Sequence, residues 1–184
     1  DGKIVITVKE ATTNPVNIFL RIPGWCKDYS LKINNAYPKV RDMDGGFVIA
    51  GNKWKAGDKI ELTLDMPAML LESNPLVEET KNQVTVKRGP VVYCMESSDL
   101  PNANVFDVVI PSNIKFQPVA MKIDNGNIMA LTGEAKLLQS GSWNNTLYKE
   151  VNTNYKPVKI KLIPYYAWAN RGRTDMTVWM NFMR

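Results

Sequence analysis

The chain has 184 residues, of which 45% are hydrophobic and 22% are charged, a composition typical of a folded globular protein and not of a disordered one. Its net charge is +5, but the 23 Lys and Arg residues are spread along the chain, which argues against a nucleic-acid-binding module. There is no histidine and there are two cysteines, so a Ser-His-Asp device is excluded and too few ligands remain for a closed zinc site.

The first part of the chain alternates apolar and polar residues with the period typical of half-buried strands. Such stretches cover residues 4–8, 18–22, 31–33, 47–49 and 60–66. The signals between them are those of turns: Pro23-Gly24, Asn34-Asn35, Asp44-Gly45-Gly46 and Ala56-Gly57-Asp58. We therefore predict short strands joined by turns.

The second part continues the same pattern. Further strands are predicted at residues 84–86, 91–95, 105–110, 114–119, 128–131, 135–138, 158–162 and 175–182. Residues 91–95 are continuously apolar, which indicates a strand buried on both faces. Residues 124–127 predict a hairpin loop, and single helical turns are predicted at 67–73 and 99–104. No run approaches the roughly 20 apolar residues of a membrane-spanning helix.

Many short strands with frequent turn signals predict an all-β, jelly-roll-like β-sandwich protein with very little helix. The polar stretch at residues 72–83 lacks strand alternation and contains a proline, so it is the best candidate for a joint. We predict two packed sandwich units, at residues 1–80 and 81–184, the first of them incomplete at its N-terminal edge.

The two cysteines, Cys26 and Cys94, lie in or beside apolar strand-like stretches. They could form one disulfide or remain two free thiols, and the apolar surroundings favour buried free thiols. Among the acidic residues, Glu96 directly follows the buried strand, where it could cap a sheet or pair with Arg88. No two carboxylates are brought together by spacing, so no catalytic residue is predicted.

Aromatic, amide and guanidinium side chains are concentrated at residues 163–172, in the sequence Ile-Pro-Tyr-Tyr-Ala-Trp-Ala-Asn-Arg-Gly. Rings can stack on sugars while amides and guanidinium groups bind hydroxyls, but the same side chains also anchor domain interfaces. Both interpretations stay open, and the candidates for carbohydrate binding or for a domain seam are Trp25, Trp54, Tyr165, Trp168, Asn170 and Arg171.

Four motifs occur in a fixed order: residues 20–26 (Leu-Arg-Ile-Pro-Gly-Trp-Cys), 54–58 (Trp-Lys-Ala-Gly-Asp), 87–96 (Lys-Arg-Gly-Pro-Val-Val-Tyr-Cys-Met-Glu), and 163–172 with Met176-Thr-Val-Trp179. In this order they resemble the C-terminal portion of glycoside hydrolase family 127, the β-L-arabinofuranosidase-like enzymes of bacteria that degrade plant glycans. The resemblance spans residues 18–179.

The resemblance implies that a catalytic (α/α)6 barrel precedes this region in the parent polypeptide, and that zinc, if present, belongs to that barrel. No cofactor, metal site or catalytic residue is then expected here. The implied role is to support the barrel, with dimerisation as a further candidate role. Carbohydrate would be met through the parent enzyme, and nucleic acid is not an expected partner. The alternative is a carbohydrate-binding module, and the expected location is periplasmic or extracellular, with the cytoplasm left open.

Overall fold

The computed structural model describes residues 2–38, 41–43, 45–100, 102–124, 126–151 and 154–184. In these ranges strands predominate, and the helical structure consists of four 3-10 turns of three residues each. The predicted all-β class is confirmed. The chain divides into two compact units, Asp1–Pro67 and Ala68–Arg184.

The described residues of the first unit form two three-stranded antiparallel sheets. Its strands are β1 (Lys3–Thr7), β2 (Val16–Arg21), β3 (Tyr29–Ile33), β4 (Arg41–Met43), β5 (Phe47–Asn52) and β6 (Lys59–Leu64). The sheet orders are β1-β6-β3 and β2-β5-β4. Side chains from both sheets meet in one core, for example Leu20 and Val48 from one and Leu31, Ile60 and Leu62 from the other. This arrangement is a two-layer sandwich.

The predicted turns of this unit follow from local backbone chemistry. Asn34 and Asn35 both have positive φ values, of 50° and 64°, which asparagine tolerates better than most residues. The Asn34 side chain also donates to Asp58 Oδ1 at 2.9 Å, and this hydrogen bond ties two turns together. In the turn predicted at 44–46, Gly45 and Gly46 have positive φ, and Asp44 lies outside the described residues.

In the part of the second unit that the structure describes there are nine strands. They are β7 (Ala68–Leu71), β8 (Gln83–Arg88), β9 (Val91–Glu96), β10 (Val108–Pro111), β11 (Gln117–Ile123), β12 (Gly126–Leu138), β13 (Tyr155–Pro164), β14 (Met176–Thr177) and β15 (Met180–Met183). Six of them pair in the ring β8-β9-β13-β12-β10-β15, because β8 pairs with both β9 and β15. The second unit is therefore an all-β structure in which six strands close the sheet into a barrel-like ring.

The boundary between the units lies at Pro67, ahead of the predicted joint at residue 80. The helical turn predicted at 67–73 is wrong. Residues Ala68–Leu71 instead form β7, which pairs antiparallel with β8. Ala68 lies opposite Arg88, and Leu71 lies opposite Thr85. A four-residue apolar run does not distinguish a helical turn from a strand, and here the pairing with β8 decides the outcome.

Other strands also differ from their predictions: Val105–Asp107 form a 3-10 turn ahead of β10, and β11 begins at Gln117 rather than at residue 114. Strand β12 is one strand of 13 residues where two were predicted, and Gly133 lies inside it. A Cβ at Gly133 would come within 3.2 Å of Ile114 Cδ1. The last predicted strand is divided, because β14 pairs with β9 whereas β15 pairs with β8 and β10. The predicted hairpin at 124–127 joins β11 and β12; its Asn125 lies outside the described residues.

Strand β9 is buried on both faces, as its continuous apolar sequence predicts. Tyr93 and Met95 face the core inside the ring, whereas Cys94 packs with Ile163 and Ala167 in a second core on the opposite face. The residue that follows in this alternation is Glu96, which lies on the side of Cys94. Within the described ranges, no helix has the length and apolarity needed to cross a membrane.

Candidate functional site

The loop that follows β13 carries the most concentrated group of exposed aromatic residues. We call residues 164–175 the aromatic loop. It opens with a 3-10 turn at Tyr165–Ala167, whose Ala167 packs into the outer core. Tyr165, Tyr166 and Trp168 are 48%, 68% and 41% exposed. The Tyr165 and Trp168 rings stack with centroids 6.2 Å apart and planes 9° from parallel. The loop thus presents flat rings to solvent.

An ion-pair cluster beneath the aromatic loop fixes its position. Arg171 donates from Nε to Glu96 Oε2 at 3.0 Å and from Nη2 to the same oxygen. It also donates to Asp99, from Nη1 to Oδ1 at 3.1 Å and from Nη2 to Oδ2 at 2.6 Å. Lys161 donates to Asp99 Oδ1 at 3.0 Å. One guanidinium group therefore bridges two carboxylates.

The carboxylates of this cluster lie out of solvent. The Glu96 side chain is fully buried and that of Asp99 is nearly so. Burial alone would raise the pKa of Asp99, but the hydrogen bonds from Arg171 and Lys161 outweigh it and lower that pKa below its ordinary value. The hydrogen bonds to Asp99, and then to Glu96, raise the pKa of Arg171 against the effect of burial. Asp99 is therefore ionised and Arg171 is protonated at neutral pH.

Backbone and hydroxyl contacts hold the far end of the aromatic loop. Ser97 N donates to Asp175 O at 2.9 Å, and Asp175 N donates to Ser97 Oγ at 3.0 Å. The Ser97 and Thr174 hydroxyls are 2.8 Å apart. The loop is therefore anchored to the end of β9 at two separate places.

One residue in the aromatic loop has an unfavourable backbone conformation. Ala169 has a φ of 64°, in the left-handed region that costs a residue with a Cβ roughly 1–2 kcal/mol. Its N–H donates to Glu96 Oε1 at 3.1 Å, so the buried carboxylate stabilises the strained turn. The two residues on either side of Ala169 are Trp168 and Asn170, whose directions this turn sets.

The remaining candidate residues lie elsewhere. Trp54 is buried in the core of the first unit, and its indole N–H donates to Val16 O at 2.8 Å. Trp25 is partly buried against the same core. Asn170 is exposed in the aromatic loop, where it forms a backbone bridge with Gly172. The structure thus brings Tyr165, Trp168, Asn170 and Arg171 together and leaves the two N-terminal tryptophans in a structural core.

Both cysteines are buried free thiols, the state that their apolar surroundings favour. Cys26 Sγ donates to Asp28 O at 3.1 Å. Burial, followed by the charge of Glu96, raises the pKa of the Cys94 thiol to about 12, so this sulfur does not fit the role of a thiolate metal ligand. Among the described residues, no three Cys, Asp or Glu side chains converge on a metal-sized position.

The ion-pair cluster does not have the properties of a glycosidase acid and base. A general acid in such an enzyme needs a raised pKa and access to the sugar oxygen. Asp99 has a lowered pKa, and Glu96 is fully buried and engaged by Arg171 and by the Ala169 N–H. The two carboxylates instead hold the aromatic loop in place, through Arg171 and the Ala169 N–H.

The partner of Glu96 is not evident from the sequence pattern. The structure pairs this residue with Arg171, not with Arg88 as suggested, and the two partners are 75 positions apart. The sequence carries one usable signal, an acidic residue directly after a strand buried on both faces. Such a carboxylate needs a cation, and Arg171 lies in a loop that returns to the same strand end.

Two family models match the chain in sequence. Residues 1–66 match the beta-L-arabinofuranosidase, family 127 middle domain, and residues 68–181 match the glycoside hydrolase family 127 C-terminal domain. A curated relative, the non-reducing end beta-L-arabinofuranosidase of Bifidobacterium longum subsp. longum, is 34% identical over 191 residues. This match covers 97% of the chain but 28% of the relative.

Solved structures give the same result. A protein described as a glycoside hydrolase superposes over 100% of the chain and 30% of its own length, with a TM-score of 0.89 and 42% identity. A family 127 beta-L-arabinofuranosidase from Geobacillus stearothermophilus T6 superposes over 100% of the chain and 29% of its own, with a TM-score of 0.87 and 30% identity. The chain therefore spans less than a third of the length of these relatives.

Proposed function

The chain belongs to glycoside hydrolase family 127, and we propose that it is a non-catalytic region of a larger glycosidase. In this proposal the two β units support a catalytic domain of the same polypeptide. The parent enzyme hydrolyses terminal β-L-arabinofuranosyl linkages or closely related ones. Support comes from the descriptions of the matched domains, middle and C-terminal, and from the relatives, of which the chain covers 28–30%.

The observation that carries the proposal is the state of Glu96 and Asp99. They are the buried carboxylates of the part of the chain that the structure describes, and Arg171 bridges both of them. A carboxylate that is committed to an internal ion pair cannot protonate a leaving group or attack a sugar. We infer that the acid and the nucleophile are supplied by another part of the enzyme.

The finer features of the parent enzyme are part of the same proposal. A catalytic (α/α)6 barrel would carry the acid, the nucleophile and any zinc ion, and the β units would pack against it. We place the enzyme in a bacterium that degrades plant polysaccharides, outside the cytoplasm, and assign to the β units a role in dimerisation. The match to a bacterial β-L-arabinofuranosidase supports the bacterial origin in this proposal.

A domain replacement in the Bifidobacterium relative tests the proposal. The region that aligns with the chain is exchanged for the chain itself, and hydrolysis of 4-nitrophenyl β-L-arabinofuranoside is measured. We expect kcat/KM of the chimera to stay within about tenfold of the parent value. The same relative without the region should aggregate or lose activity, since it lacks the supporting surface.

The isolated chain serves as the second arm. It should release no 4-nitrophenol at any concentration tested, and its circular dichroism spectrum should be that of a folded β protein. Turnover by the isolated chain would contradict the non-catalytic role. A truncated relative that is as stable and as active as the intact enzyme would contradict the supporting role.

A further inference from the structure

We propose that the catalytic domain of the parent polypeptide packs on the outer face of the sheet β2-β5-β4 in the first unit. Phe19, Phe47 and Ile49 form this surface, which we call the phenylalanine face. The assignment rests on the proposed supporting role and deepens it, because it names the surface of the chain on which the support is given.

The phenylalanine face departs from the alternation that places apolar residues inside and polar ones outside. Leu20 of β2 and Val48 of β5 belong to the core, so the residues next to them in each strand point to the opposite side of the sheet. Those residues are Phe19 in β2 and both Phe47 and Ile49 in β5. Phe19 is 54% exposed and Phe47 is 38% exposed. Large apolar side chains thus occupy positions that are usually polar in a sheet whose other face covers a core.

The register of the strands makes the phenylalanine face continuous. Phe19 lies opposite Ile49, and directly opposed residues of an antiparallel pair have Cβ atoms about 5 Å apart. Phe47 is the diagonal neighbour of Phe19, which is within reach of an aromatic ring. Arg21 pairs with Phe47, and Arg41 of β4 pairs with Ile49, so arginine positions border the apolar centre. The matching surface should therefore bring apolar side chains to the centre and acidic ones to the margin.

The outer face of the other sheet, β1-β6-β3, is polar. In β6, Lys59, Glu61 and Thr63 alternate with core residues, and Glu61 forms an ion pair with Lys3 at 3.9 Å. Val5 of β1 lies on this face opposite Glu61. Two sheets of one sandwich thus have outer faces of different character, so the fold by itself does not require an apolar outer face. An apolar sheet face is stable when another layer covers it.

The parent polypeptide offers such a layer. The chain covers only 28–30% of the length of its relatives. Its first unit matches a domain described as the middle one, and its second unit matches the C-terminal domain. A middle domain has a neighbour on each side in sequence, so a further domain precedes the first unit in this family. That domain is large enough to add a third layer to the sandwich.

The small area of the phenylalanine face favours this occupant over a second copy of the chain. A phenylalanine presents about 150–250 Å², so the exposed parts of the two rings amount to roughly 200 Å². A stable dimer buries about 800 Å² on each partner. A domain of the same polypeptide needs less contact, because the covalent link supplies a high effective concentration. The phenylalanine face therefore fits an intramolecular contact.

Site-specific photo-crosslinking in the chimera described above gives a direct test. The photoreactive substitution is Phe19→p-benzoylphenylalanine, and mass spectrometry identifies the peptide that it captures. We expect a peptide of the catalytic domain, in a product of monomeric mass. The matched control carries the same photoreactive residue at Val5, which is 49% exposed on the outer face of the other sheet. Position 5 should capture no peptide of the catalytic domain.

Charged substitutions at the same two positions give a second readout. Phe19→Asp should shorten the half-life of activity of the chimera at elevated temperature at least about fivefold, because it places a carboxylate in the contact. Val5→Asp makes the same kind of change on a strand that also ends its sheet, and it should alter the half-life by less than about twofold. In the isolated chain the two variants should unfold at similar urea concentrations, since neither face is covered there.

The outcomes separate this assignment from the supporting role. In an active chimera, position 19 might be expected to capture only the catalytic domain; capture of the second unit, capture of a second copy at dimeric mass, or no capture would overturn the assignment alone. Equal effects of Phe19→Asp and Val5→Asp on the half-life would also overturn it. A chimera without activity would instead contradict the supporting role. A link from position 19 to the second unit in the isolated chain would overturn the assignment in either case.

Discussion

Replacing Arg171 by methionine should destabilise the second unit strongly, because the substitution leaves the fully buried Glu96 carboxylate without its cation. Glu96 would keep one hydrogen bond, from the Ala169 N–H at 3.1 Å. Asp99 would keep Lys161 at 3.0 Å. Removing one partner of a buried ion pair costs roughly 3–5 kcal/mol, and methionine retains most of the apolar stem, so the free energy of unfolding should fall by about that amount.

The assay is urea unfolding at pH 7, followed by tryptophan fluorescence and circular dichroism. Lys161→Met is the matched comparison, since it removes the other cation on Asp99. The Lys161 side chain is 38% exposed, and such partly solvated pairs contribute only about 1 kcal/mol or less. Arg173→Met, at an exposed position in the same loop, should change stability by less than about 0.5 kcal/mol.

A second substitution separates charge from packing. In the Arg171→Met background, Glu96→Gln should recover at least about 1 kcal/mol, because the amide leaves no charge buried without a partner. An Arg171→Met variant that loses less stability than Lys161→Met would refute the reasoning. So would a double variant that is less stable than Arg171→Met alone.

The ion-pair cluster should make the free energy of unfolding decrease as the pH falls. The pKa of Asp99 is lower in the folded chain than in the unfolded one, so its contribution is present above the ordinary Asp pKa and is lost as the pH falls through the lowered value. Stability should therefore decrease toward low pH, and Asp99→Asn should make that decrease shallower. A pH profile of stability that is unchanged in this variant would contradict a contribution of Asp99 to the acid sensitivity.

Two further predictions concern single residues of the second unit. Ala169→Gly should raise the free energy of unfolding by about 0.5–1 kcal/mol, since glycine adopts a positive φ without the Cβ clash, and a loss of stability in urea unfolding would contradict the strain argument. Cys94 should stay unreactive toward a thiol reagent such as dithionitrobenzoate at pH 8, because it is buried and its pKa is raised to about 12. It should react once the chain is unfolded in urea. Rapid modification of Cys94 in the folded chain would contradict its buried position.

Period-two alternation was sufficient to predict most strands, because a strand with one buried face must alternate. It located β6, where Ile60, Leu62 and Leu64 face the core, and it identified β9 as buried on both faces. It failed at Ala68–Leu71, where the apolar run was too short to show a period. The local alternation of apolar and polar residues thus predicts which side chains face the core.

The closure of the second unit and the ion-pair cluster could not be predicted in this way. Both depend on contacts between residues far apart in sequence, such as Met180 with Val84 and Arg171 with Glu96. No local propensity encodes which distant strand provides a neighbour. The exposure of the aromatic loop has the same origin, since Tyr165 and Trp168 could face a core or solvent until the contacts of Arg171 are known.

The ring of strands in the second unit has a consequence for synthesis of the protein. Strand β15 joins β8 to β10, so its residues Met180–Met183 complete a ring in which these two neighbours are made much earlier. Until those residues leave the ribosome, the Gln83–Val84 end of β8 lacks its partner strand, although β7 and β9 already pair with the rest of β8, and β10 lacks its second neighbour. Such distant pairings form slowly. The unit can therefore close its ring of strands only after translation has passed residue 183.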